Sequence, residues 1–565
     1  MNTDLTVKIG GEAGQGIQTV GDLLTLVCHQ AGFHVMAIND FESRIRGGHS
    51  FTQIRISDRP IFAPHHVVDL LIALDQKTYG LHKHELAPDG LVIMNSKETS
   101  KDKKVIHLPI TDLSMKAGGK ITSNSVAAGA GLGLMEVAFE SLSHILKKKF
   151  QSKSKDVVEM NLSAAKFGYD SVKDISLKTT LKWNRRKPKG ALIDGSKAFA
   201  LGALAGDCRF ASFYPMSPAT GIMAQLSLLA DDFPLVVEQA EDELAAINMI
   251  IGSSFAGVRS ITATSGGGFC LMTEGLGLAG ITETPVVIIN AQRPGPATGL
   301  PTRTAQGDLL FTIRAAQDEF PRFVFAPGTP FEAFQITARA FKLSEKYQVP
   351  VILLTDQFLN DSLFISEKPF RAPKSIPRFT VEDKDIKAPE QYNRFKLTKS
   401  GVSPRALPCN GEALVVVTGN EHSEDGHISE EIKDRVNMAR KRRSKVKNMI
   451  KEMKPPQLLY EKSKTLLVCW GSTKGAVMEA VEVLRSRKMD VGCLIFSDIW
   501  PFPSDHVISA LEKCKKFVMV ELNQTAQLGQ LIREQTGLSY SDAILKFDGR
   551  PIYPNDIVER VIQFI

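Results

Sequence analysis

The sequence predicts an α/β protein of three parallel-sheet units, and three observations carry that expectation. Short apolar runs of strand length, such as Thr6–Ile9, 285–291 and Thr465–Trp470, alternate with helix-length amphipathic stretches. Several of these runs end in glycine-rich turns that open onto a helix, the layout of a βα unit. At 565 residues the chain is also too long for one hydrophobic core.

Residues 1–180 form the first unit. Thr6–Ile9 reads as a strand, Gly10-Gly-Glu-Ala-Gly-Gln-Gly16 as a turn, and Ile17–Ala31 as a helix. Such a turn points backbone N–H groups at an anion, with Gly14 and Gly16 as contacts; a turn that only packs helix on strand is the alternative. The spacing matches neither a dinucleotide fingerprint nor a P-loop. Arg44, Arg46 and His49 surround Gly47-Gly48, ahead of the strand Phe51–Ile56. Arginine suits bidentate contact with phosphate or carboxylate. Strands follow at Val68–Leu74, Leu91–Met94 and Val105–Leu108, then one long helix from Asn124 to Phe150. Leu177–Gly190, basic and containing Pro188, reads as a linker.

Residues 191–375 form the second unit. Its stretch Phe210-Ala-Ser-Phe-Tyr-Pro-Met-Ser-Pro218 holds Tyr214 and the Ser217 hydroxyl in a stiff turn. Leu235–Val237 predicts a buried parallel strand, Ala240–Ser254 a helix, and Arg259–Thr264 a second strand broken by Ser265-Gly-Gly-Gly. Glu238, Glu241 and Glu243 stand where a strand delivers a helix, a frequent place for a site in open α/β sheets. Complementing the helix dipole is the alternative use of those charges. After the strand at 285–291 comes a rigid loop, Gln292-Arg-Pro-Gly-Pro-Ala-Thr-Gly-Leu-Pro-Thr-Arg303, carrying Arg293, Thr302 and Arg303.

Residues 376–462 read as a connector. Its basic run from Arg435 to Lys454 holds nine Lys and Arg against Glu452 alone, and lacks aromatic residues to stack on bases. A solvated amphipathic helix is expected there, not a nucleic-acid surface. Residues 463–565 form the third unit, with strands at Thr465–Trp470, Val491–Phe496 and Phe517–Glu521, and a structural corner at Asp498–Pro503.

Several chemistries drop out. No histidine occurs between His144 and His422, so the second unit holds no Ser-His-Asp or Cys-His hydrolase site. The seven cysteines are scattered and form no zinc or iron–sulfur motif. No apolar run approaches the ~20 residues of a membrane helix, and no signal peptide precedes the first strand, so a cytoplasmic protein is expected. Ser217, Glu243 and Arg293 follow successive strands of one parallel sheet and can converge at its carboxyl edge. There a carboxylate can bond a heterocyclic cofactor and a guanidinium can hold an oxoacid.

Tyr-Pro-Met-Ser-Pro218, Glu241-Asp-Glu243, Thr262-Ala-Thr-Ser-Gly266 and Gln292-Arg293 with Thr-Gly-Leu-Pro-Thr302 together resemble the alpha subunit of 2-oxoacid:ferredoxin oxidoreductases. The first unit, with Gly-Glu-Ala-Gly-Gln-Gly16 and Arg46-Gly-Gly48, is similar to the family's gamma domain fused in front. The third resembles its transketolase C-terminal-like domain. The resemblance implies a thiamine-diphosphate enzyme with a pyrimidine-binding second unit. Glu243 would bond the aminopyrimidine, with Glu241 as the competing assignment, beside Ser265 and Gly266. Tyr214, Ser217, Arg293 and Thr302 would meet the substrate, and Gly14, Gly16, Arg44 and Arg46 coenzyme A. Ser217 replaces the family's threonine, and Ala13 a glycine of its Gly-Gly-Gln-Gly. No Gly-Asp-Gly motif is present, so Mg²⁺ and a [4Fe-4S] cluster are expected in a beta subunit, within an (alpha-beta)2 assembly that reduces ferredoxin. The gamma–alpha fusion favours 2-oxoglutarate, with Arg303 as a second cation or as a partner of Asp308. Pyruvate or a branched-chain oxoacid, or a non-catalytic scaffold, are the alternatives.

Overall fold

The computed structural model describes residues 4–43, 47–98, 102–178, 181, 187–382, 384, 386, 392–411 and 413–564. Arg44 and Arg46, and linker residues 179–180 and 182–186, lie outside these. The chain divides into two compact units.

The first comprises residues 1–193, 362–369 and 553–556. Its six-stranded sheet runs His34–Asp40, His49–Ser57, Asp4–Glu12, Val68–Ala73, Leu86–Asn95, Val105–Leu108 in spatial order. Asp4–Glu12 is antiparallel to His49–Ser57 and parallel to Val68–Ala73. The strand His34–Asp40 was not expected. Neither was the division of 124–150 into two helices, Ser123–Leu134 and Phe139–Lys149. Glu136, at φ 58°, ends the first. Its N–H bonds the Gly133 carbonyl at 3.0 Å, and the Val137 N–H bonds that of Leu132 at 3.0 Å. That is a Schellman closure, usually marked by glycine, so the sequence hides the break.

The second unit comprises residues 194–361, 370–552 and 557–565. One sheet has the order Asp498–Trp500, Phe323–Phe325, Val351–Asp356, Val287–Gln292, Ser260–Thr264, Phe210–Phe213, Val236–Gln239. All neighbours are parallel except Asp498–Trp500, which joins antiparallel. The expected corner at 498–503 therefore extends a sheet edge. Val236–Gln239 is a strand but not a buried one: it forms the opposite edge, where Val236 is 59% exposed. Ser265-Gly-Gly-Gly does more than break a strand, since Gly266–Leu271 is helical.

A second sheet orders Gln457–Leu459, Val491–Phe496, Thr465–Trp470, Lys516–Glu521, Asp542–Leu545. One core joins the two sheets: Ile288, Ile352 and Leu354 cluster with Val468, Trp470, Leu494 and Met519.

The basic run departs from its expected solvated face. Within the helix Ile432–Ser444 and just after it, Lys441, Arg442 and Lys445 are buried. The Lys441 and Lys445 ammonium groups each lie 2.5 Å from a different oxygen of buried Glu283. Arg394 donates to the Thr282 and Glu283 carbonyls, and Arg442 pairs with Glu421. A buried anion recruits cations that a sequence pattern assigns to water.

Candidate functional site

Parallel strands send their carboxyl ends to one edge, and the second unit's polar residues collect there. The helix Glu243–Phe255 starts just after the edge strand Val236–Gln239. Its cap is Asp242, whose side chain accepts from the Ala245 N–H at 2.7 Å. Capping is thus the work of Asp242, and Glu241 remains exposed. Glu243 points inward, only 2% exposed, although it opens the helix.

Three neighbours define its pocket. A side chain at Gly268 would collide with Glu243 Oε1 and with Thr264 Oγ1, so only glycine lets the carboxylate lie there. Glu243 Oε1 is shut from water and has no hydrogen-bond partner. Burial pushes the Glu243 carboxyl above its ordinary range, and the Asp242 charge adds to this, while Arg293 and Thr264 oppose it. Arg293, at the end of Val287–Gln292, is half-buried; burial lowers its pKa against the opposing pull of Glu243. Its Nη1 donates to the Ser217 carbonyl at 2.8 Å, and its Nε is buried without a partner. Met216 Sδ lies 3.9 Å from Thr264 Oγ1. Glu243, Arg293 and the Ser217 turn therefore come together from three separate βα connections.

Ser265 and Gly266 sit at the same edge. Ser265 Oγ is buried without a partner, and a side chain at Gly266 would strike the Asp308 carboxylate. Asp308 accepts from Asn290 Nδ2 at 3.2 Å, and its N–H donates to Gln292 Oε1 at 3.0 Å. Burial raises the Asp308 carboxyl to about 6. The triple glycine is thus flanked by a carboxyl group on each side, buried Glu243 and half-buried Asp308. Sequence reasoning missed Thr264, Gly268, Asn290, Gln292 and Asp308 as members of this cluster. The sequence signals were the run of three glycines and the motifs Thr262-Ala-Thr-Ser-Gly266 and Gln292-Arg293, which contain Thr264 and Gln292.

Tyr214 is exposed just beyond Phe210–Phe213, and the Ser217 side chain is exposed in the following turn. The 292–303 loop curls on itself: the Leu300 N–H reaches the Pro294 carbonyl at 2.9 Å, and Gly299 has φ 53° where a side chain would strike that carbonyl. Thr302 is buried in the returning arm, and Arg303 packs its Cβ and Cγ by Gly549. Asp308 takes its hydrogen bond from Asn290, a neutral partner.

In the first unit the expected turn is present. Gly14 and Gly16 have φ 95° and 76°, and the Glu12 N–H donates to Gln15 Oε1 at 3.0 Å. Gly16 leads into the helix Ile17–Gln30, and a side chain there would strike Asn124.

A pyrimidine ring nitrogen accepts hydrogen bonds, so it would need a buried carboxyl group able to carry a proton, and Glu243, unpaired at Oε1 and with its pKa raised by burial, is such a group. Among the described residues no cluster of His, Cys, Asp or Glu is arranged to hold a metal. No described helix is long and apolar enough to cross a membrane.

Residues 201–441 match the family described as pyruvate flavodoxin/ferredoxin oxidoreductase, thiamine diphosphate-binding. Residues 6–171 match pyruvate ferredoxin/flavodoxin oxidoreductase, and 463–557 match pyruvate:ferredoxin oxidoreductase core domain II. The alpha subunit of a 2-oxoacid:ferredoxin oxidoreductase from Sulfolobus sp. is 34% identical, covering 99% of this chain and 97% of that one. The 2-oxoglutarate synthase subunit KorA of Methanothermobacter thermautotrophicus is 30% identical, covering 66% of this chain and 98% of its own. The structure of 2-oxoglutarate:ferredoxin oxidoreductase from Magnetococcus marinus, with 2-oxoglutarate, coenzyme A and succinyl-CoA bound, superposes with a TM-score of 0.92 at 30% identity over all of both chains. With its thiamine-diphosphate-binding unit and its full-length likeness to these alpha subunits, the chain belongs to the 2-oxoacid:ferredoxin oxidoreductase family as an alpha subunit.

Proposed function

We propose that this subunit takes part in the coenzyme A-dependent oxidative decarboxylation of 2-oxoglutarate to succinyl-CoA and CO2, with electrons passed to ferredoxin. The observation that carries the reading is Glu243 Oε1: buried, unpaired and held against Gly268 with Arg293 nearby. The KorA relatives and the 2-oxoglutarate-bound neighbour support the choice of oxoacid.

When bound, thiamine diphosphate supplies the carbanion-stabilising centre that decarboxylation of a 2-oxoacid requires. Glu243 would bond its aminopyrimidine, and its raised pKa suits a carboxyl group that holds or releases a proton at that atom. Ser265 and Gly266 would line the cofactor. Arg293, cationic and partly sheltered, orients a substrate carboxylate, with Tyr214, Ser217, Thr302 and Arg303 completing the substrate side. Glu241 is exposed and does not share the pocket. In this reading residues 1–180 serve as the coenzyme A-contacting gamma-type domain through Gly14, Gly16, Arg44 and Arg46. Residues 191–375 bind the pyrimidine, 376–462 connect, and 463–565 form the transketolase C-terminal-like domain.

A beta subunit would bring Mg²⁺, the diphosphate contacts and the [4Fe-4S] cluster in an (alpha-beta)2 assembly. Exposed Val236, Leu244, Met249 and Leu271 around the site suit an apolar partner surface. Co-expression with a partner carrying Gly-Asp-Gly and Cys-x-x-Cys motifs tests the whole reading. Viologen dye reduction should require both 2-oxoglutarate and coenzyme A. Preference for pyruvate would redirect the substrate, and no oxoacid-dependent reduction would defeat the proposal.

A further inference from the structure

The turn that carries Ser217 is held from two directions, and one of its two side-chain anchors has no part in the chemistry described so far. The Ala219 N–H closes the turn on the Met216 carbonyl at 2.8 Å. Arg293 Nη1 donates to the Ser217 carbonyl at 2.8 Å, and Asn360 Nδ2 donates to the next carbonyl, that of Pro218, at 3.1 Å. Asn360 stands in the short helix Gln357–Asp361, directly after the strand Val351–Asp356, so a fourth βα connection enters the same carboxyl edge. Asp356 Oδ1 accepts from the Leu359 N–H at 3.0 Å and fixes where that helix begins.

The Asn360 amide has one orientation. A carbonyl only accepts, so the atom facing Pro218 is the nitrogen. Asn360 Oδ1 then accepts from Thr355 Oγ1 at 2.8 Å. The Thr355 carbonyl accepts from Gln292 Nε2 at 3.2 Å, and Gln292 Oε1 accepts from the Asp308 N–H at 3.0 Å. Both ends of the Gln292 amide are fixed in the same way. Asn360, Thr355 and Gln292 are all buried, which strengthens bonds that water would otherwise contest. One chain of hydrogen bonds therefore runs from the Ser217 turn, across the ends of Val351–Asp356 and Val287–Gln292, to Asp308. The Ser217 side chain is exposed while the backbone on both sides of it is tied down. Two successive carbonyls bound by side chains from two other connections leave the turn little freedom, as a hydroxyl that must meet a ligand at one place requires.

We propose that Asn360 is a positioning residue for the oxoacid, holding the Ser217 turn through the Pro218 carbonyl, with Thr355 orienting its amide. The inference rests on the placing of Ser217 on the substrate side given above. Asn360 acts through the turn and not by contact with substrate. Without it the turn can shift, and a displacement of about 1 Å is enough to cost on the order of 10²-fold in rate.

The test uses the complex with the beta subunit, followed by viologen dye reduction, with thermal melts by circular dichroism to confirm folding. Asn360→Leu keeps a branched side chain and removes both bonds; kcat/KM for 2-oxoglutarate should fall about 10- to 100-fold while KM for coenzyme A stays put. Thr355→Val leaves Asn360 in place and frees its amide to turn, so it keeps the test independent of whether Asn360→Leu folds; it should cost about five- to tenfold. Thr355→Ser keeps the hydroxyl and should restore wild-type values. In a Ser217→Ala background, Asn360→Leu should cost less than about twofold more, because the group it positions is already gone. Wild-type kcat/KM in folded Asn360→Leu or Thr355→Val overturns this inference alone. So do fully additive losses in Asn360→Leu and Ser217→Ala, or a KM for coenzyme A that rises in step. Full activity of Ser217→Ala overturns it together with the placing of Ser217, and a wild-type complex that reduces no dye with any oxoacid overturns it together with the proposed function.

Discussion

Replacing Glu283 by Gln would leave two buried ammonium groups, Lys441 and Lys445, facing a neutral amide. Both lie 2.5 Å from the carboxylate they would lose, and all three side chains are at most 1% exposed. Breaking a buried pair from one side typically costs about 3–5 kcal/mol. Set against a total stability of roughly 5–15 kcal/mol, that is a large fraction. Burial pushes Lys445 down to about 7, so part of the loss is relieved by proton release. Its folded pKa lies below the unfolded value of 10.5, so the unfolded chain binds more protons between about pH 7 and 10.5. Loss of Glu283 lowers the folded Lys445 pKa further while the unfolded value is common to both proteins, so the Glu283→Gln deficit should be larger at pH 6 than above about pH 7, where it levels off. Glu283 has the opposite sign: Lys445, Lys441 and Arg394 hold its carboxyl well below 4.5 despite burial. Its contribution is present above that pH and lost as acid carries the protein below it. Denaturant midpoints of wild type and Glu283→Gln at pH 6, 7.5 and 9 measure this. A triple change to apolar residues at 283, 441 and 445 should regain most of the loss. A deficit under about 1 kcal/mol at pH 6, or one independent of pH, would refute the assignment of these residues as a buried charge cluster.

Three further predictions concern the site. Gly268→Ala should abolish turnover while the fold survives, because the new methyl strikes Glu243 Oε1 and Thr264 Oγ1; activity and circular dichroism together check it. Arg293→Lys keeps charge but loses the planar fork, so KM for the oxoacid should rise about tenfold or more while KM for coenzyme A stays put, in steady-state assays. Asp308→Asn should stabilise the protein above pH 6. Its folded pKa of about 6 lies above the unfolded 3.8, so ionisation costs wild-type stability as pH rises between them. The gain is at most about 3 kcal/mol and should vanish below pH 4 in denaturation curves.

The fold was legible where the code is local. Thr465–Trp470 and Val491–Phe496 read as apolar runs and are strands with those limits. Glu243 was legible because a strand, a cap and a helix fix its place. Its preference over exposed Glu241 was not, since that depends on Gly268 leaving room two elements further along the chain. Asp308 was read only as a possible partner of Arg303, because its hydrogen bonds to Asn290 and Gln292, 18 and 16 residues earlier, have no local sequence signal. Glu136 disguised a helix end by taking a glycine conformation. Lys441 and Lys445 looked solvated because nothing local announces a buried anion 158 and 162 residues earlier.

The central claim is that Glu243 is the carboxyl group serving the cofactor. The direct measurement is turnover of the Glu243→Gln and Glu241→Gln complexes, prepared side by side with the beta subunit. Loss of a tuned acid–base group should lower the rate of Glu243→Gln by ~10²–10⁴-fold, while Glu241→Gln stays near wild type. Full activity in Glu243→Gln with none in Glu241→Gln would contradict the account.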